Sequence, residues 1–335
     1  TPFKTGQVMN IILNSFGVSL QKENSLFAIF SQEGKQLIPP RDVKSISISK
    51  GARISSDAVL LAIENEVDVF FINQQGMPQG RVWSNRYGSV STIRKNQLEF
   101  IYSSRSVDWI KQQVKDKMDN QVALLLTLQN EDARANRIAK SVINAIADHK
   151  AKVDKLEGSI VADIAPSLRG WEGAASRRYF QGLNEYLPVK YRFEGRSQHP
   201  AMDMFNALLN YGYGILYGKV EGALIKAGID PYVGVFHRDD YNRPVLVYDV
   251  IERFRVWIDY VAVRLCTEDV FAEECFSVKN GIFWLDALGK RIFVQSVHDY
   301  MAEIIKIDNL DRSRDTHVAL FAEQLARYFL EKPVS

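Results

Sequence analysis

The chain has 335 residues, 46% of them hydrophobic and 24% charged, with a formal net charge of +2. That length accommodates two domains, the apolar content excludes a disordered polymer, and the near-neutral total supplies no bulk attraction to nucleic acid. No apolar run approaches the ~20 residues of a membrane span and no signal peptide opens the chain, so a cytoplasmic protein is expected.

Thr1 to Val8 precede Met9, a natural start. They read as a tag remnant, an extension, or the trailing edge of a preceding domain. Residues 9 to 83 read as strands: β-branched or alternating runs at Ile11–Leu13, Phe27–Phe30, Val43–Ile48 and Val67–Ile72 are separated by Gly34, Pro39-Pro40 and Gly51. One helix, Ser56 to Asn65 with a capping serine, interrupts them. Residues 73 to 89, rich in Gly, Asn, Ser and Gln, close this part and place a domain boundary after residue 88. From about Ser104 onward, apolar residues recur at helical spacing, as in Val107, Ile110, Val114, Met118 and Leu125, almost to the end. The expected fold class is α+β, with a small β-rich domain over 1–88 and a larger all-α domain over 89–335. Cys266 and Cys275 have no metal-type spacing and suggest no disulfide framework.

Chemistry-bearing residues gather in the second part. Asp249 and Glu252 stand three apart amid Val250, Phe254, Trp257 and Ile258 at helical spacing, so one helix face presents both carboxylates. His237 lies just upstream, after Gly228, Pro231 and Gly234, where the chain turns back. Two carboxylates and an imidazole beside Arg255 suit a divalent ion, and a solvated acidic face with a satisfied histidine suits the same residues. Glu172 sits among Gly170, Gly173, Ala174, Ala175 and Ser176, small residues that let helices approach closely; a partner such as Arg169 or an ion would compensate its burial. Six basic and three acidic residues fall between Arg169 and Arg196, interleaved with Tyr179, Phe180, Tyr186, Tyr191 and Phe193, a pattern that fits a phosphate backbone and unstacked bases or an ordinary amphipathic surface. The glycines of Tyr211-Gly212-Tyr213-Gly214 lie within helical spacing and follow no strand, which excludes a nucleotide loop; Gly214 and Gly218 are expected to serve helix packing.

Taken in order, Glu172-Gly173, Tyr211-Gly212-Tyr213, Gly234-Val235-Phe236-His237 and Asp249 through Arg255 resemble the motifs of the CRISPR-associated integrases that insert spacers into CRISPR arrays (the Cas-one family). The resemblance extends over nearly the whole chain. It implies a metal-dependent DNA endonuclease or integrase using Mg2+ or Mn2+, a homodimer, and a small ferredoxin-like adaptation partner (Cas-two). Members fused to a reverse transcriptase give Thr1–Val8 a fusion origin as one option. By the same resemblance Glu172, His237 and Glu252 are metal ligands, and Asp249 supports them or binds a second ion. Tyr217 faces the DNA end by the same resemblance, or packs in the core with a bonded hydroxyl; Arg169, Arg177, Arg178, Lys279, Lys290 and Arg291 are expected near DNA phosphates, and Arg255 holds a phosphate or orients a carboxylate. The alternatives are a non-catalytic DNA-binding scaffold and a nuclease of branched DNA in repair.

Overall fold

The computed structural model describes residues 9–72, 78–82, 88–198, 200–237 and 243–331; Thr1–Val8, His199 and most of the segment from 73 to 87 lie outside them. The chain divides into two compact units, Thr1–Ser91 and Thr92–Ser335. Among the described residues no helix is long and apolar enough to cross a membrane.

Among its described residues the first unit holds two four-stranded sheets and helix α1 (Ser56–Glu64). In one sheet β1 (Met9–Leu13), β5 (Val43–Ser49) and β7 (Asp68–Ile72) run parallel, and β8 (Pro78–Arg81) joins β7 antiparallel. The other has the order β4 (Gly34–Ile38), β3 (Leu26–Ser31), β2 (Ser19–Glu23) and β6 (Arg53–Ile54). Helix α1 is capped by Ser55, whose hydroxyl accepts from the Ala58 N–H at 3.2 Å. It buries Ala58, Leu61 and Ala62 in a core built on Leu20, Phe27 and Ile46. All four sequence-read strands are present. The two-residue β6 and four-residue β8 are too short to show a period, and β2 (SLQKE) and β4 (GKQLI) carry too few apolar residues to show one.

Helix α2 (Gly88–Ile101) crosses the division between the units and starts well before Ser104, the expected onset of helical pattern. Beyond it, α3 (Ser104–Thr127), α4 (Ala133–Asp154) and α5 (Val161–Asn184) pack on one another. The central α6 (Met204–Lys226) buries Phe205, Leu208, Leu209, Tyr213, Leu216, Val220 and Leu224, positions that ring the helix. A side chain of that kind is worth roughly 1.5–3 kcal/mol when buried, so α6 is the element around which the others assemble. Packed against it are α7 (Val245–Ile251), α8 (Arg255–Thr267), α9 (Ala287–Ala302) and α10 (Arg314–Leu330).

Three sequence expectations need correction. The second part is mostly but not purely helical: hairpins form from β9 (Phe276–Lys279) with β10 (Ile282–Leu285), and from β11 (Ile304–Ile307) with β12 (Leu310–Ser313). Their turns, Asn280-Gly281 and Asp308-Asn309, have positive φ at both positions, the backbone that two-residue hairpins require. Gly214 does not serve close packing, since a Cβ there would meet nothing within 4 Å; Gly212 does, with Ile258 and Phe293 at 2.4 and 2.9 Å from such an atom. Gly170 likewise stands in open space, and the tight glycine of α5 is Gly182, against Val142 and Leu125.

Candidate metal and DNA site

The stretch from Asp249 to Ile258 is not one continuous helix. Helix α7 ends at Ile251, Glu252 caps it, and α8 restarts at Arg255. Asp249 and Glu252 therefore have separate tasks, although both line one cavity with Lys117, Glu172 and His237.

Asp249 points back at the turn before α7. The Val235 and Phe236 N–H groups donate to its Oδ2 at 2.7 and 3.1 Å, and the His237 N–H donates to Oδ1 at 3.2 Å. His237 Nδ1 lies 2.7 Å from the same Oδ1, and the carboxylate is fully buried. A carboxylate that already accepts three N–H bonds can only accept a fourth, so Nδ1 carries the proton and Nε2 turns away from Asp249. Partial burial lowers the imidazole pKa, but the Asp249 hydrogen bond and charge outweigh it and raise the pKa. Gly234 makes the turn possible, because a Cβ there would stand 2.5 Å from the His237 carbonyl oxygen and 2.7 Å from Val245 Cγ2.

Glu172 on α5 and Glu252 at the end of α7 meet at Lys117 of α3. The ammonium pairs with Glu172 Oε1 and lies 2.6 Å from Glu252 Oε2, while Arg255 Nη2 lies 2.9 Å from Glu252 Oε1. Burial would raise the Glu252 pKa, yet the Arg255 and Lys117 charges pull it down to about 2, so it is ionised at neutral pH. Burial would lower the Lys117 pKa, and Glu252 followed by Glu172 raises it instead. Glu172 thus takes Lys117 as partner, whereas Arg169 donates to the Phe236 carbonyl at 3.1 Å and stacks on that ring.

The donor set suits a hard-to-borderline divalent ion: two carboxylates, one of them with a buried oxygen lacking a hydrogen-bond donor of good geometry, and an imidazole. Among the described residues no three acidic, histidine or cysteine side chains stand close enough to hold one as they are. The Lys117 ammonium stands between the two carboxylates.

A groove of about 550 Å³ adjoins the site, lined by Arg196, Asn210, Tyr217, Arg243, Tyr248 and His237 among others. The Tyr217 and Tyr248 rings lie 5.4 Å apart in it. Arg255 reaches this groove while holding Glu252. Arg177 and Arg178 are exposed on α5, Lys279 on β9, and Lys290 and Arg291 on α9; none of these five lines the cavity or the groove.

Sequence reasoning missed Lys117, Tyr248 and Asp259. Lys117 had a signal: with Gln113 and Gln121 it forms a polar row at four-residue spacing, buried on a helix whose neighbouring apolar row is also buried. Asp259 is 1% exposed and accepts the Tyr179 and Tyr213 hydroxyls at 2.7 and 2.5 Å. The Tyr213 ring is flanked by the guanidiniums of Arg196 and Arg255, 5.3 and 4.6 Å from its centre.

Residues 11–299 match the family model described as CRISPR associated protein Cas1. A CRISPR-associated endonuclease Cas1 of Archaeoglobus fulgidus is 33% identical over 302 residues, covering 86% of this chain and 87% of the relative. Among solved structures, a casposase bound to an integration product superposes with a TM-score of 0.74 at 20% identity, covering 96% of this chain and 95% of that one. A chain of a partial Cas6-RT-Cas1–Cas2 complex gives 0.73 at 19% identity, covering 98% and 97%.

Proposed function

Because the chain belongs to the CRISPR-associated Cas1 family, we propose that it is a metal-dependent DNA endonuclease and integrase that inserts prespacer DNA at a CRISPR repeat boundary. The observation that carries this is the meeting of Glu172, His237 and Glu252, from three separate elements, at one cavity beside a wide groove. A divalent ion held by Glu172, Glu252 and His237, Mg2+ or Mn2+, would supply the Lewis acidity for phosphoryl transfer.

The chain's own groups do the rest. Asp249 fixes the His237 ring and its tautomer. Arg255 keeps Glu252 ionised and oriented. Tyr217 and Tyr248 offer ring faces to unstacked bases. The 3′-oxygen of the incoming strand forms a new P–O bond while the bridging P–O bond of the repeat breaks and its oxygen leaves as a 3′-hydroxyl. One phosphodiester replaces another, so no nucleotide triphosphate is consumed.

We further propose that the chain acts as a homodimer with a Cas2 partner. The solved Cas6-RT-Cas1–Cas2 assembly supports the Cas2 partner and association with a reverse transcriptase. The test is integration of a labelled prespacer, with the partner present, by Glu172→Ala, His237→Ala, Asp249→Ala and Glu252→Ala in Mg2+ and in Mn2+. Loss of strand transfer with retained DNA binding is expected for Glu172, His237 and Glu252. Full integration by His237→Ala in both metals overturns the site.

A further inference from the structure

Behind the Glu172–Lys117–Glu252 array lies a second cavity of about 160 Å³, lined by Lys117, Gln121, Glu172, Ser176, Glu252 and Arg255 among others. Gln121 follows Lys117 by one turn of α3, and Ser176 follows Glu172 by one turn of α5. The two helices therefore present two successive rungs toward this space. One is ionic, Lys117 with Glu172; the next is neutral, Gln121 with Ser176. Gln121 is 4% exposed. Its Oε1 and the Ser176 Oγ are buried without a hydrogen-bond partner among the described residues. Buried acceptors normally have donors, and two on the wall of one cavity mark where a donor belongs.

Lys117 is the donor within reach. Its side chain is only 10% exposed, so it does not escape to solvent, and it lines both cavities. A lysine carries three donors on a flexible four-carbon stem, unlike the rigid fork of arginine. One water needs only about 10–15 Å³ of such space, and the inner cavity offers about 160 Å³, which leaves room for an ammonium. Between Glu172 and Glu252, however, an ammonium and a divalent ion exclude each other by volume and by charge.

We propose that Lys117 is a two-position placeholder cation: it bridges Glu172 and Glu252 in the ion-free protein, and its ammonium moves one rung along α3, onto Gln121 Oε1 and Ser176 Oγ, when a divalent ion takes its place. This rests on the metal-site reading above. The placeholder prevents two partly buried carboxylates from repelling each other before the ion arrives. The inner rung keeps the displaced charge hydrogen-bonded rather than stranded. Ion affinity then depends on how well the ammonium is received inside, so Gln121 becomes a positioning residue for metal binding without touching the metal.

The test is a double-mutant cycle read by calorimetric titration of MnCl2 into the full-length chain, wild type against Lys117→Met, Gln121→Met and the double variant. Gln121→Met is expected to weaken Mn2+ binding roughly tenfold where Lys117 is present, the scale of one lost hydrogen bond to a charged group. In the Lys117→Met background the same change is expected to have almost no effect, and Lys117→Met alone binds Mn2+ more tightly than wild type. An equal effect of Gln121→Met in both backgrounds, or none in either, overturns the shift while leaving the metal site standing. A wild-type chain that binds no Mn2+ overturns both. Should Lys117→Met not fold, a crystal structure of the wild type with Mn2+ decides: Nζ beside Gln121 Oε1 or Ser176 Oγ is expected, and Nζ still bridging the two glutamates overturns the proposal.

Discussion

The His237 imidazole is held at 2.7 Å by the Asp249 carboxylate, which also gathers the three backbone N–H groups of residues 235 to 237. One buried carboxylate thus fixes both the turn and the ring that the turn carries. Asp249→Ala strands three buried donors, each costing about 1–3 kcal/mol, so a substantial drop in thermal stability is expected. Asp249→Asn keeps the shape but presents an amide to an N–H, and should be milder. In the alanine variant the ring loses its orienting partner, and in the asparagine variant His237 and the Val235 and Phe236 N–H groups compete for one acceptor oxygen, so strand transfer is expected to fall roughly 10–100-fold without vanishing. Integration assays beside melting curves check this; an Asp249→Asn chain that integrates at wild-type rate would remove the ring-orienting role.

Two glycines on α6 make opposite predictions. At Gly212 a Cβ would come within 2.4 Å of Ile258 and 2.9 Å of Phe293, so Gly212→Ala must push α8 or α9 away. Overpacking of that kind costs about 1–3 kcal/mol. At Gly214 nothing stands within 4 Å, and Gly214→Ala should stabilise the helix by about 0.5–1 kcal/mol. Melting temperatures should move in opposite directions; a rise for both would mean that helix propensity outweighs the close contact at Gly212.

How much of this was legible in the chain follows from where the information lies. The longer strands and the helical stripes announce themselves by period, because one buried face forces regular spacing. Glu172, His237 and Asp249 through Arg255 were visible as motifs. Their division of labour was not, because it depends on α7 stopping at Ile251, so that Asp249 turns toward residues 235–237 and Glu252 toward Lys117. Lys117 lies 55 positions from its partner Glu172, a separation that no local pattern encodes. The hairpin at Asn280-Gly281 carried a local signal, Asn-Gly between short apolar runs, that the surrounding helical pattern obscured.

The β-rich first unit is expected to make the dimer and to contribute no chemistry. Among the described residues each of its two sheets ends in edge strands, β1 and β8 in one, β4 and β6 in the other. Unpaired edges favour association, and a protein commonly buries them against a second copy. Deleting residues 1–88 should leave a helical fragment that sediments as a monomer. A fragment that remains a tight dimer would place the interface in the helical unit.

DNA binding should be strongly salt-dependent despite the small net charge. Arg177 and Arg178 stand exposed side by side on α5, the helix that carries Glu172. On duplex DNA the logarithm of affinity falls with that of salt by about 0.9 per phosphate neutralised. Replacing both arginines with alanine should flatten the slope by roughly 1.8 if each contacts one phosphate. An unchanged slope across a salt titration would route the DNA over another face.

Asp259 should give the chain a measurable acid-side signature. Burial raises its carboxyl to about 6, against the opposing pull of the Tyr213 and Tyr179 hydroxyls and the Arg255 and Arg196 charges. Its unfolded value is about 3.9, so between roughly pH 4 and pH 6 the folded chain retains a proton that the unfolded chain has released. The stability from this group is full below pH ~4 and is lost as pH rises through the folded value. Asp259→Asn cannot ionise and lacks the effect. The stability of wild type minus variant should therefore fall with rising pH by up to about 1.4 kcal/mol per unit in that window, then level off. Urea unfolding of both chains from pH 4.5 to 7.5 measures the difference directly. A difference that stays flat would mean that the two tyrosine hydroxyls and the two arginines hold the carboxylate ionised throughout, and that burial does not dominate at this position.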